Sequence, residues 1–194
     1  WGFASLTSKS KQLNSSNISF NSLSHKDKAT AFSGIVRTYQ ERLYWHIRKM
    51  VLSHDDANDI LQDVFMKAWN GLDNFRGDSQ VSTWLYRIAT NETLTFLAAK
   101  RMKNINSLDE VEDVLLQNLK ADSYFNGDET QLQLQKAILA LPEKQRLVFN
   151  MRFYDDLKYE EMSEVLGTSV GALKASYHHA TKKIEQILTG KIED

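Results

Sequence analysis

Side chains able to do chemistry are plentiful in this chain, but their spacing favours contact over catalysis. The densest group lies near the C-terminus, in YEEMSEVLGTSVGALKASYHHATKKIEQIL. Helical spacing there turns Ser169, Ala172, Lys174, Ser176, His178 and His179 outward while Val170, Leu173 and Tyr177 turn inward. Hydroxyls, an ammonium and imidazoles on one exposed helix face can hydrogen-bond base edges in the major groove. The neighbouring pair His178 and His179 could suggest a metal, but adjacent helical residues diverge and no third ligand is evident. No Gly-rich phosphate loop, nucleophile elbow or zinc-ligand spacing occurs, so no enzymatic activity, cofactor or metal is expected. The carboxylates Asp59 and Asp63 share a polar helix face with Asn58, Gln62 and Lys67, the pattern of a helix surface.

These groups need helices to hold them. Apolar residues Phe32, Ile35, Val36, Tyr39, Leu43, Ile47, Met50 and Val51 recur at gaps of three and four and predict a helix over 29–51. Ser53, His54, Asp55 and Asp56 break the pattern and offer N-caps. Ala57, Ile60, Leu61, Val64, Phe65, Ala68, Trp69 and Leu72 then predict a second helix ending near Gly71. After a loop at 74–79, a third helix is expected from a Ser82 or Thr83 cap, with Trp84, Leu85, Ile88 and Ala89 inward and Lys100, Arg101 and Lys103 as a basic tip. Three such helices can close one small core.

A helix over 132–141 begins the last third. Pro142 sits where a new helix can start, its preferred place. Residues 159–166 form a short helix, Gly167 supplies the positive φ that ends it, and Thr168 and Ser169 cap a final helix to about 188. Helix, glycine turn and longer helix make the helix-turn-helix plan. A helical hairpin that only packs is the bland alternative.

The chain has 194 residues, one proline and no cysteine. Scarce proline favours helices, and absent cysteine excludes disulfides and thiolate metal sites and agrees with a cytoplasmic setting. No apolar run approaches the ~20 residues needed to cross a bilayer. The net charge of −1 hides an uneven distribution. Through Lys103, 14 basic residues face 9 acidic ones. Between 104 and 130, seven acids (Asp109, Glu110, Glu112, Asp113, Asp122, Asp128 and Glu129) face Lys120 alone. The Ser- and Asn-rich residues 1–28 read as a disordered or vector-derived tail.

Two blocks together carry a family resemblance. DDANDILQDVFMKAWNGLDNFRGDSQVSTWLYRIATNETLTFL resembles region 2 of the extracytoplasmic-function (ECF) sigma factors, and LPEKQRLVFNMRFYDDLKYEEMSEVLGTSVGALKASYHHATKKI resembles their region 4. The resemblance implies an all-α fold of two small helical domains, region 2 over 29–103 and region 4 over 131–190, joined by a flexible acidic linker over 104–130. It implies a transcription initiation factor, not an enzyme, whose partners are core RNA polymerase (the β′ clamp helices and the β flap), promoter DNA and an anti-sigma factor. Asp59, Gln62 and Asp63 match the family's polymerase-binding row. Arg76, Gly77, Asp78, Ser79 and Asn91 match its pocket for an extruded −10 base; unstacking a base costs a few kcal/mol, and an amide that donates and accepts can offset it. Tyr86 and Arg87 can hold single-stranded bases, and Lys100 and Arg101 can meet phosphates. Ser169, Ala172, Lys174, Ala175, Ser176, His178, His179 and Lys182 correspond to the face that reads the −35 element.

The chain departs from the family where arginines often stand, at Ser176, His179 and Thr181. Losing bidentate guanidinium contacts weakens guanine readout. A stand-alone helix-turn-helix regulator is the rival reading; such proteins usually dimerise on matched half-sites, and this sequence offers two dissimilar lobes instead.

Overall fold

The computed structural model describes residues 24–103 and 129–190. Helices α1 (His25–Val51), α2 (His54–Gly71) and α3 (Val81–Lys103) form a first lobe, with a 3-10 turn at Leu72–Asn74. Helices α4 (Glu129–Leu139), α5 (Glu143–Phe153), α6 (Tyr159–Leu166) and α7 (Val170–Thr189) form a second. No strand occurs among the described residues, and the all-α expectation is borne out.

Local chemistry sets the boundaries. Helix α1 starts at His25, four residues before the predicted start at 29, because Ser24 Oγ accepts from the Asp27 N–H at 3.3 Å. Residues 25–28, expected as tail, therefore belong to the helix. At the other end Leu52 takes a left-handed φ of 59° and its N–H donates to the Arg48 carbonyl. That conformation costs a non-glycine residue about 1–2 kcal/mol, and burying the leucine returns about 1.5–3 kcal/mol. Ser53 then caps α2 through the Asp56 N–H. Helix α3 begins at Val81, without the expected Ser82 or Thr83 cap; Thr83 is buried and the Trp84 N–H bonds to the Gln80 carbonyl.

Helix α4 begins at Glu129, just inside the stretch expected as linker, and ends at Leu139. The Arg146 guanidinium donates to the Leu139 carbonyl at 3.3 Å, satisfying one of the carbonyls a helix end leaves open. The rest of the expected linker, 104–128, lies outside the described residues, as do 1–23 of the tail.

The two lobes share one core. Leu43, Ile47 and Met50 of α1 and Leu85, Tyr86 and Ala89 of α3 are continuous with Leu147, Val148 and Met151 of α5, Met162 and Val165 of α6 and Leu173 of α7. Helix α3 packs along α6, and α1 meets α5. The sequence suggests two lobes joined by a tether and does not disclose contact between them; the structure docks them. The reason lies in α5, where Arg146 to Met151 are buried in unbroken succession. A helix buried all round needs cover on every side. Helix α7 supplies one wall, and α1 of the other lobe supplies another. A smaller cluster of Ala137, Ile138, Leu141, Phe149, Ala180 and Ile184 belongs to the second lobe alone.

Candidate nucleic-acid interface

Helix α2 buries Ala57, Ile60, Val64 and Ala68 and leaves Asp59, Gln62 and Asp63 exposed together on the opposite face. Met66 continues that stripe, four residues beyond Gln62, and is 63% exposed. Sequence reasoning missed it; the signal was an apolar residue in register with the polar face. Lys67 beside it pairs with Glu92 of α3 at 2.6 Å.

The loop after α2 turns at Gly77, whose φ of +76° is open to glycine at no steric cost. Phe75 tucks inward against Trp84, ring centroids 4.9 Å apart, so Trp84 is tied to the core side of the loop. Arg76 and Asp78 are exposed, and Gly77 and Ser79 half-buried. Arg87 and Asn91 are exposed one turn apart on α3 and share a face.

Tyr86, expected to face DNA, is instead covered where the two lobes dock. It is 1% exposed, with its ring 5.0 Å from that of His46 in the interface between the lobes. Burial pushes its hydroxyl pKa far above the ordinary value of 10; the Asp155 charge adds to this, and Arg42 partly opposes it. Residue 86 is adjacent to Leu85 on the side of α3 that the second lobe covers, a side the isolated region 2 pattern leaves free. Two basic candidates are also engaged. Lys100 pairs with Asp56 at 2.9 Å and lies over the Phe96 ring, and Arg101 pairs across the lobes with Glu143 at 2.9 Å.

The second lobe presents the helix-turn-helix as its spacing suggests. Gly167 ends α6 at φ +63°, and Ser169 Oγ accepts from the Ala172 N–H to begin α7. Met162 and Val165 of α6 and Leu173 of α7 are buried, locking the pair. Ser169, Ala172, Lys174, Ala175, His178, His179 and Lys182 are exposed, and Ser176 is half-buried. The His178 and His179 rings stand 6.0 Å apart, and no group of three metal-ligating side chains occurs among the described residues.

One polar cluster was not foreseen. His46 of α1 is buried, and its Nδ1 lies 2.7 Å from Asp155 Oδ2 in the loop after α5. An ionised carboxylate only accepts, so His46 Nδ1–H is the donor. His46 Nε2 reaches Thr90 Oγ1 at 3.0 Å, and Lys49 Nζ donates to Asp155 Oδ1 at 2.5 Å. Burial alone would raise the Asp155 pKa; the charges and hydrogen bonds of His46 and Lys49 outweigh it and hold the carboxyl below its ordinary range. Burial lowers the Lys49 pKa, an effect that Asp155 only partly offsets. The sequence carried a faint signal: His46 interrupts the apolar stripe between Leu43 and Ile47.

A helix-turn-helix beside a three-helix lobe with an acidic outer face defines a two-lobed, α-helical DNA-binding protein of transcription. Residues 35–103 match the family Sigma-70 region 2, and residues 131–184 match Sigma-70, region 4. The RNA polymerase sigma-H factor of Pseudomonas aeruginosa is 31% identical over 166 residues, covering 81% of this chain and 86% of that protein. The ECF RNA polymerase sigma-E factor of Escherichia coli is 30% identical over 170 residues, covering 82% and 87%. The chain belongs to the ECF sigma factor family, and directs transcription initiation as a sigma factor. In fold it is similar to the sigma factor RpoE of Bartonella quintana, solved with the anti-sigma factor NepR (TM-score 0.65, 20% identity, 84% of this chain and 99% of that one). CnrH, solved with the cytosolic domain of CnrY, is similar too (TM-score 0.61, 22% identity, 84% and 91%).

Proposed function

We propose that this sigma factor grips core RNA polymerase through Asp59, Gln62 and Asp63 on α2 and reads promoter DNA with two separate surfaces. The single observation behind this is the outward row on α2, exposed in the same molecule as a largely exposed outward face of α7. An acidic row flanking an exposed methionine suits a basic and partly apolar partner surface, as polymerase clamp helices would offer. Residues 29–103 act as region 2, with Arg76 to Ser79, Arg87 and Asn91 around an extruded −10 base and Lys100 and Arg101 on phosphate. Residues 131–190 act as region 4: α7 enters the major groove at the −35 element, with Lys174 and Lys182 toward phosphate and Ser176, His178 and His179 toward base edges. The β flap engages region 4, residues 104–130 serve as the connector, and an anti-sigma partner restrains the whole, as NepR pairs with its sigma factor. The protein carries no catalysis of its own and works in the cytoplasm beside polymerase. No helix among the described residues is long and apolar enough to cross a membrane.

Co-purification with core polymerase together with run-off transcription tests the reading. Asp59→Lys and Gln62→Ala each weaken co-purification while the helical content holds. Undiminished co-purification of both variants would reject the row, and promoter transcription by core enzyme that is indifferent to this chain would reject the mechanism.

A further inference from the structure

We propose that the chain holds itself closed through a buried His46–Asp155–Lys49 latch between its lobes, and that reading two promoter elements at once requires the latch to open. The gating half rests on the function proposed above; the latch itself does not.

Three observations converge on the closed state. The apolar core runs unbroken from α1 and α3 into α5 and α6. Its polar centre joins residues 109 positions apart, His46 and Asp155, whose side chains are 1% and 4% exposed. Lys49 closes on the same carboxylate, and Thr90 of α3 holds the far nitrogen of His46. Around the rim, Arg101 of α3 pairs with Glu143 of α5. A charge cluster so buried is unforgiving: removing one member strands the others without compensation.

The closed state conflicts with the proposed task in two ways. A compact body of the described residues is roughly 40 Å across. Elements at −10 and −35 lie roughly 25 base pairs apart, on the order of 80 Å along straight B-form DNA. One docked body cannot reach both. Closure also removes two region 2 groups from DNA, since Tyr86 is buried and Arg101 is paired across the lobes. The polymerase row on α2 and the reading face of α7 remain exposed. Either lobe can therefore be approached while the chain is closed, but full engagement draws on the open fraction alone. Apparent affinity for the complete complex falls in proportion to that fraction.

The absence of cysteine makes the test direct. Spin labels at Asn70→Cys and Glu185→Cys, both exposed and outside the interfaces, report the separation of the lobes in the full-length chain. The unaltered latch gives one narrow distance population. Asp155→Ala and His46→Ala shift it to longer and broader separations with helical circular dichroism retained. Asp155→Asn, which keeps the shape and removes the charge, shifts it in the same direction should the alanine variants lose helix. Binding to core polymerase on a promoter fragment then tightens several-fold in the latch variants. A broad distribution in the parent, or a narrow one unchanged by Asp155→Asn, overturns the latch. Longer separations with unchanged polymerase affinity overturn the gating and leave the latch standing.

Discussion

Asp155 carries more of the architecture than its place in a loop suggests. Its pKa is held below the ordinary carboxylate value of 3.8, mainly by His46 and then Lys49 acting against burial. A folded-state pKa below the unfolded one means stability that is full above the unfolded value and is lost as pH falls through the folded value. Acidification below about pH 4 therefore loosens the docked lobes, and Asp155→Asn flattens that acid limb in a melting-temperature series. At neutral pH, Asp155→Ala destabilises the docked state by about 3–5 kcal/mol, the range for breaking one side of a buried ion pair. His46→Leu together with Asp155→Leu recovers only part of that loss, because the apolar pair needs no partner while Lys49 still loses its carboxylate. Denaturant titration of the two singles and the double gives the coupling; strictly additive losses would argue against a latch. Little of this was legible from local sequence. A pairing 109 residues apart leaves no periodicity, and Asp155 looks like any loop acid. His46 alone left a trace, as a polar residue inside an apolar stripe.

Elements were easier to read, because their signals are local. The stripes of α2 and α7 assign both helices, and each cap is written in a hydroxyl: Ser53 on the Asp56 N–H, Ser169 on the Ala172 N–H. Gly167 at φ +63° was legible for the same reason, since a turn between two short amphipathic helices needs a left-handed residue. Gly167→Val should cost the second lobe about 1–2 kcal/mol through backbone strain alone, as the space around the added Cβ is open. Urea unfolding measures this; no loss of stability would mean that the turn relaxes freely. Ser53→Ala should cost about 1 kcal/mol by the same assay. What the elements did not disclose is their neighbours. Tyr86 falls on a face of α3 that region 2 leaves uncovered, and only docking against α6 explains its burial. Exposed faces were recovered well, including Asp59, Gln62 and Asp63 and most of the outward face of α7. A polar face needs no partner to define it, whereas a covered one is defined by what covers it.

The whole molecule unfolds according to how its core is divided. Leu147, Val148 and Met151 belong by sequence to the second lobe, yet they share one apolar cluster with Leu43, Ile47 and Met50 of the first. Each fully buried side chain of this kind contributes about 1.5–3 kcal/mol, so parting the lobes forfeits a sizeable share of the marginal stability of a small domain. The lobes are therefore expected to melt together, in one calorimetric transition whose van't Hoff and calorimetric enthalpies agree. The second lobe also has its private core around Ile138, Phe149 and Ile184, enough to persist in part once the shared interface is lost. Asp155→Ala should accordingly split the single transition into two, the second lobe retaining its own. Two transitions in the parent would mean the lobes are independent and the shared cluster energetically idle. A single transition in both proteins would mean that apolar contact couples the lobes without help from the buried charges. Only a transition that is single with the latch and double without it makes the ion cluster the element that joins the two lobes into one cooperative unit.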